Sequence, residues 1–354
     1  MKKLIFSLAI IAFAVVACQP NSDDVVPDQE VATIDMSDFY VYTDSDLEKP
    51  SGNAKKDKCQ TMKVLNRQLK ENPGLQKRMF DIEKHTRTYI YFKGKPKNPG
   101  GGGGGGTAPP PSPDPYTGII SIPVVVNILE DAAHPVEQAH IDSQIAILNA
   151  DFNNENPNTA GVPSEFEDLV ANTKISFTLA EVNRKVSSVS EWGTRDAMKL
   201  ASEGGIDATD PTTYLNIWVC EIGGGILGYA QFPGGTLETD GVVIGSDYFG
   251  ENDDGDPYGH GRTATHEVGH WLNLRHIWGD GKCRRDDFVA DTPSSDGANY
   301  GCPEYPTVNC KSNDMTMNYM DYVDDDCMYM FSNGQNDRMR AIFTADGPRE
   351  SFVN

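Results

Sequence analysis

The stretch Thr265-His266-Glu267-Val268-Gly269-His270-Trp271-Leu272-Asn273-Leu274-Arg275-His276 decides how this chain folds and what its chemistry is. Four residues make slightly more than one helical turn, so His266 and His270 project from one face and can grip one ion. Glu267 sits beside them, where it can hydrogen-bond a water on that ion. His276 comes six residues after His270, a spacing that a continuing helix would serve poorly. The chain must therefore turn after Leu272. Asn273 is the natural place, because asparagine tolerates the left-handed conformation better than most residues with a side chain. Three histidines plus an exchangeable water make an open, catalytic type of zinc site rather than a closed structural one. Zinc lowers the pKa of such a water towards about 7, and a neighbouring carboxylate can take its proton as it attacks a carbonyl.

The rest of the chain falls into segments around this helix. Lys2 and Lys3 precede an apolar run from Leu4 to Val16 that is too short for a comfortable membrane span but suits a signal peptide, residues 1–17. Its end, Val15-Val16-Ala17-Cys18, looks like a bacterial lipobox, which would place cleavage before Cys18 and a lipid on its sulfur. An ordinary signal peptide with an incidental cysteine is the alternative. Residues 18–48 read as an acidic tether and 49–97 as a basic pro-segment. Residues 98–117 form a linker, because seven consecutive glycines (Gly100 to Gly106) and then Pro109-Pro110-Pro111 fit no packed element. Residues 118–354 form the catalytic domain.

Charge divides along the same boundary. Lys49 to Lys97 carries a net +10, and Gly118 to the C-terminus a net −24. The two parts should attract one another at moderate salt. The whole 354-residue chain has a formal net charge of −22, which argues against nucleic acid as a partner. Within the pro-segment, Met62, Leu65, Leu69, Leu75, Met79 and Ile82 keep helical spacing, interrupted at Pro73-Gly74.

After the linker, strands are expected at Ile119 to Leu129, Lys174 to Val182, Leu215 to Cys220, Gly228 to Phe232 and Gly241 to Ile244. Helices are expected at Val136 to Phe152, Thr263 to Leu274 and Gln335 to Phe343, the last capped by Ser332 or Asn333. The fold class is thus α/β (α+β), with a twisted, mostly parallel five-stranded sheet, two long helices and an irregular C-terminal lobe. Four of the seven cysteines, Cys283, Cys302, Cys310 and Cys327, lie within 45 residues and read as two disulfides with three possible connectivities. Cys220 reads as a buried strand thiol, which leaves Cys59 without an assigned partner.

The His-Glu-x-x-His-x-x-Asn-x-x-His run and the later Asn318-Tyr319-Met320-Asp321-Tyr322 resemble a metzincin metalloprotease. Within that clan they resemble the pappalysin family, including its ulilysin-like bacterial enzymes. Gly261-Arg262-Thr263-Ala264-Thr265 and Trp271-Leu272 match as well. Asn273, where the family motif has glycine, is the departure. The resemblance implies that His266, His270 and His276 bind Zn2+ and that Glu267 is the general base. It also implies that Met320 lies beneath the metal and that Tyr322 reaches the zinc or the transition-state oxyanion. It pairs Cys283 with Cys310 and Cys302 with Cys327, and makes Asp291 a ligand for structural Ca2+. Asp326 becomes the selector of Arg or Lys on the prime side, while a solvated acidic loop or calcium ligation remains open for Asp324 to Asp326.

Cys59 can then serve as a latch on the metal, since a thiolate is a soft zinc ligand and Lys55, Lys56 and Lys58 favour its deprotonation. A pairing with Cys220 or a free thiol stays open. The expectation is a zinc-dependent endopeptidase of proteins or peptides, made as a latent extracytoplasmic lipoprotein. It would act as a monomer and touch the membrane only through its lipid. A surface binding protein on a scaffold that has lost catalysis and a metal-scavenging surface protein are the rival classes. Both are weakened because every expected catalytic residue is present.

Overall fold

The computed structural model describes residues 33–44, 59–93, 117–130, 135–252 and 255–353. The chain divides into two units, Met1–Thr33 and Ile34–Asn354, and every element below belongs to the second. The proposed signal sequence, Cys18 and the glycine run lie outside the described residues.

Strand β1 (Ile120–Glu130) runs through the middle of the domain, buried along almost its whole length. Its Ile and Val residues follow one another without alternation because both faces are covered, as in parallel sheets layered by other elements. It pairs in parallel with β2 (Ile175–Val186) and β3 (Leu215–Cys220), and β3 pairs in parallel with β5 (Val242–Gly245). The short β4 (Gly228–Ala230) is antiparallel to β5 and closes the order β2-β1-β3-β5-β4. The five strands and their mostly parallel sense agree with the sequence. The boundaries differ, most at β2, which runs four residues further than the apolar alternation does.

Two helices, α3 (Gln138–Phe152) and α4 (Arg262–Trp271), contribute to one core with the sheet. The core contains Ile141, Leu148 and Phe152 from α3, Val268 and Trp271 from α4, and Val124, Ile217 and Ile244 from the strands. Helix α4 is buried on every side. Asp151 of α3 fixes its position by accepting from the hydroxyls of Thr265 (2.8 Å) and Tyr319 (2.7 Å). At the other end, Arg349 donates to the Trp271 carbonyl (3.1 Å), lies over the Trp271 ring and pairs with Asp240. The last helix, α5 (Asn333–Ala341), starts in a capping box made by Ser332 and Gln335. Disulfides join Cys283 to Cys310 and Cys302 to Cys327, while Cys59 and Cys220 are buried free thiols.

The pro-segment forms α1 (Thr61–Glu71) and α2 (Leu75–Lys93), broken at Gly74. Met62, Leu65, Leu69, Leu75 and Met79 form a satellite core that takes one residue, Phe232, from the catalytic side. Residues 34–44, within the expected acidic tether, are packed as well: Val41 and Thr43 are buried, and Tyr40 donates to the Gly279 carbonyl at 2.5 Å.

The deepest ion pair between the two parts runs against their overall charges. Glu83 of α2 accepts from Arg338 of α5 (2.7 Å), with both side chains nearly inaccessible, and also from Arg87 (2.7 Å). Burial pushes the Glu83 carboxyl up, but the two guanidinium groups outweigh it and hold it at about 2, below the ordinary 4.5. A depressed carboxyl pKa stabilises the folded chain above the ordinary value, and that stability is lost as pH falls from about 4.5 towards 2. Glu83→Ala should cost about 3–5 kcal/mol, because it strands a buried guanidinium. Thermal melting of the full-length protein at pH 7 and pH 3 tests both statements. An unshifted melting point in the variant would contradict them.

Candidate metal centre

Helix α4 places the Nε2 atoms of His266 and His270 3.2 Å apart, one turn above one another. After Leu272 the chain reverses through Asn273, whose φ of +74° is the left-handed turn expected from the sequence. The turn brings the His276 Nε2 to 3.1 Å from that of His270. The Cys59 Sγ lies 3.7 Å from the His270 Nε2. Ligand atoms of Cys59, His266, His270 and His276 all lie within 4.8 Å of one another. Among the described residues this is the only such cluster of histidine, cysteine and carboxylate groups.

Each imidazole is oriented from behind. The Nδ1 of His266 donates to the Tyr319 carbonyl (2.7 Å), that of His270 to the Leu274 carbonyl (2.8 Å), and that of His276 bonds Asp280. These contacts leave every Nε2 with its lone pair facing the centre of the cluster. Burial pushes His266 down to about 3 and His270 well below its ordinary value, so both rings are neutral. Trp278 stacks on His276 with planes 3° apart.

Met320 is fully buried, and a Cβ added at Gly269 would come within 2.5 Å of its Sδ. Glycine at 269 therefore lets the Met320 side chain pack directly against α4. The Tyr322 ring lies 5.6 Å from His266 and 4.9 Å from His276, and its hydroxyl donates to the Cys59 carbonyl at 3.4 Å. Glu267 accepts a 2.6 Å bond from the Thr61 hydroxyl. Burial, followed by the nearby Glu267 carboxylate, pushes the Cys59 thiol well up. A cation among the four donors would oppose both effects.

A small pocket opens beside the cluster, lined by Cys59, His266, Glu267, Tyr300, Tyr322 and Asp325 among others. Asp326, the residue expected to select basic side chains, does not line it and is 74% exposed. Asp325 does. Its Oδ2 accepts from the amides of His260 and Arg262, and burial raises it to about 7 against their pull. Asp291 uses both oxygens at the start of α5, accepting from the Ser332 hydroxyl (2.6 Å) and the Gly334 amide (2.8 Å). Asn273 uses its side chain too: its amide donates to the Thr86 hydroxyl of α2 at 3.3 Å. The sequence reading missed Asp280, although its four-residue spacing from His276 was visible. It also missed Thr61, which only the docking of the pro-segment brings to Glu267.

This fold, with its open sheet, buried histidine helix and methionine turn, is that of a metzincin metalloprotease. It superimposes on mature mirolysin of Tannerella forsythia bound to a cleaved peptide, at 42% identity and TM-score 0.64, covering 67% of this chain and 96% of that one. The match to a mutant of T. forsythia promirolysin has TM-score 0.70 at 36% identity and covers 83% and 96%. An extracellular metalloprotease of Pyricularia oryzae is 34% identical over 235 residues, 62% of this chain and 72% of that protein. Extracellular metalloprotease 1 of Coccidioides posadasii is 37% identical over 180 residues, and this chain spans 62% of its length. The peptidase family described as pregnancy-associated plasma protein-A matches residues 203–344. The chain belongs to this pappalysin family of metalloproteases.

Proposed function

We propose that this chain is a zinc endopeptidase made as a zymogen, with His266, His270 and His276 as the permanent ligands and Glu267 as general base. The observation that carries this reading is the convergence of four donor atoms at one point, three imidazole nitrogens and one thiol. A tetrahedral ion at zinc bond lengths spaces adjacent donors roughly 3.3–3.6 Å apart. The three distances around His270, 3.1, 3.2 and 3.7 Å, lie close to that range, and the remaining pairs lie within 4.8 Å. Zinc bound there supplies Lewis acidity, acidifying a water and polarising the scissile carbonyl.

The chain's own residues do the rest. Asp280 and the Tyr319 and Leu274 carbonyls hold the imidazoles in the ligating tautomer. Glu267 takes a proton from the attacking water and passes it to the leaving amine. The Tyr322 phenol, which faces a peptide carbonyl in the zymogen, stabilises charge developing on the substrate's carbonyl oxygen. Extended substrate adds to the open edge of β4, which Gln60 now occupies by donating to the Gly228 carbonyl at 3.1 Å. In the zymogen Cys59 fills the fourth ligand corner. The relatives' extracellular location supports secretion; the signal sequence ending at residue 17 and the lipid on Cys18 are read from the sequence alone. Among the described residues, no helix is long and apolar enough to cross a membrane. A structural calcium at Asp291 rests on the family resemblance alone.

A preference for Arg or Lys on the prime side follows from an acidic group in the pocket, and the geometry favours Asp325 over Asp326. A peptide library digested by the processed enzyme should be cut before Arg and Lys. A zinc chelator should abolish cleavage, and added zinc should restore it. Asp326→Ala should keep the preference and Asp325→Asn should lower it about tenfold, the loss of one charge-assisted contact. Cleavage that persists in chelator overturns the zinc reading, and cleavage confined to apolar residues overturns the pocket assignment.

A further inference from the structure

Thr61 bonds to two of the groups that catalysis needs. Its hydroxyl donates to Glu267 Oε2 at 2.6 Å and accepts from the Ala230 amide at 2.7 Å. The residue is fully buried and stands at the first position of α1, two residues beyond Cys59. The Cys59 to Thr61 stretch crosses the rim of β4, with Cys59 opposite Gly228 in a parallel bridge. Tyr229 is the β4 residue directly opposite Val243 in the sheet. Gly228 and Ala230, on either side of it, offer the Gly228 carbonyl and the Ala230 amide to the outer edge, where Gln60 and Thr61 meet them.

We propose that Thr61 is a second inhibitory device of the zymogen, separate from the Cys59 thiol: one hydroxyl occupies the base carboxylate and the edge-strand amide together. Toward Glu267 it stands where the attacking water would donate its proton. Toward Ala230 it stands where a substrate carbonyl would accept. The thiol acts at the metal; the Thr61 hydroxyl adds a bond to the base carboxylate and takes the edge-strand amide as well. Only a side chain that donates and accepts through one atom can do this, so serine can replace threonine and isosteric valine cannot. The proposal rests on the zymogen reading above, and its test separates the two.

The test uses the full-length chain. Initial rates on a quenched peptide are measured for T61V, T61S, C59A and C59A/T61V before any processing is visible on a gel. T61V should raise the basal rate about tenfold or more, because it removes both the bond to Glu267 and the bond from the Ala230 amide from the closed form. T61S should stay latent, and C59A/T61V should exceed C59A. The second readout is thermal unfolding of T61V, E267A and the double variant. Coupled residues give a double shift well below the sum of the single shifts. T61V as latent as its parent, or strictly additive melting shifts, overturns the proposal. An open T61V beside a latent C59A would instead overturn the thiol latch and leave the Thr61 device standing.

Discussion

Glu267→Ala in the processed enzyme should lower kcat by about 10²–10⁴, the range that general acid–base catalysis supplies, with zinc content unchanged. Glu267 is not among the converging donors, so its removal empties no ligand position. It sits between two ligands, is buried, and in the zymogen is met by a hydroxyl at bonding distance. A carboxylate so placed suits the proton-transfer role proposed for it. Peptide hydrolysis and metal analysis on the same sample check this. More than a tenth of the parent activity remaining in a zinc-loaded variant would contradict the assignment.

Cys59→Ala in the full-length protein should raise the basal peptidase rate by about 10² or more, the gain that tethering gives a covalently attached ligand. Alanine there leaves the fourth corner open to water while most of the docking surface stays intact. The buried Glu83–Arg338 pair, the Met62, Leu65 and Leu69 cluster around Phe232, and the Tyr40 contacts at Gly279 do not depend on the sulfur. The variant should therefore remain folded, and its pro-segment should stay attached while substrate gains partial access. Rates measured on unprocessed protein test this. A variant as silent as its parent would mean that occlusion of the cleft alone maintains latency.

The metal-binding half of this account was legible in the sequence because its information is local. Helical spacing puts His266 and His270 together, and an asparagine able to adopt positive φ delivers His276. The strands β1, β3 and β5 were also visible, since buried parallel strands are written as near-continuous apolar runs, and β2 showed through its alternation. What escaped detection depends on long-range docking. Nothing around Thr61 signals that its hydroxyl will meet Glu267, because the contact spans 206 residues of chain. Charge counts predicted that the basic segment would be attracted to the acidic domain. The buried pair that anchors it nevertheless has its anion on the basic side, at Glu83. Residues 34–44 looked like an acidic tether because their composition is polar, yet Tyr40, Val41 and Thr43 make specific contacts. Of the adjacent Asp325 and Asp326, the short 3₁₀ turn buries Asp325, and composition carries no signal for which of the two would turn inward.

Zinc K-edge absorption spectroscopy of the full-length protein and of its processed form tests the central claim most directly. The zymogen should hold one zinc per chain, with three nitrogen neighbours at about 2.0–2.1 Å and one sulfur at about 2.3 Å. After processing, the sulfur should give way to oxygen while the nitrogen shell stays. A zymogen without stoichiometric zinc, or a zinc shell lacking sulfur before processing, would contradict the account.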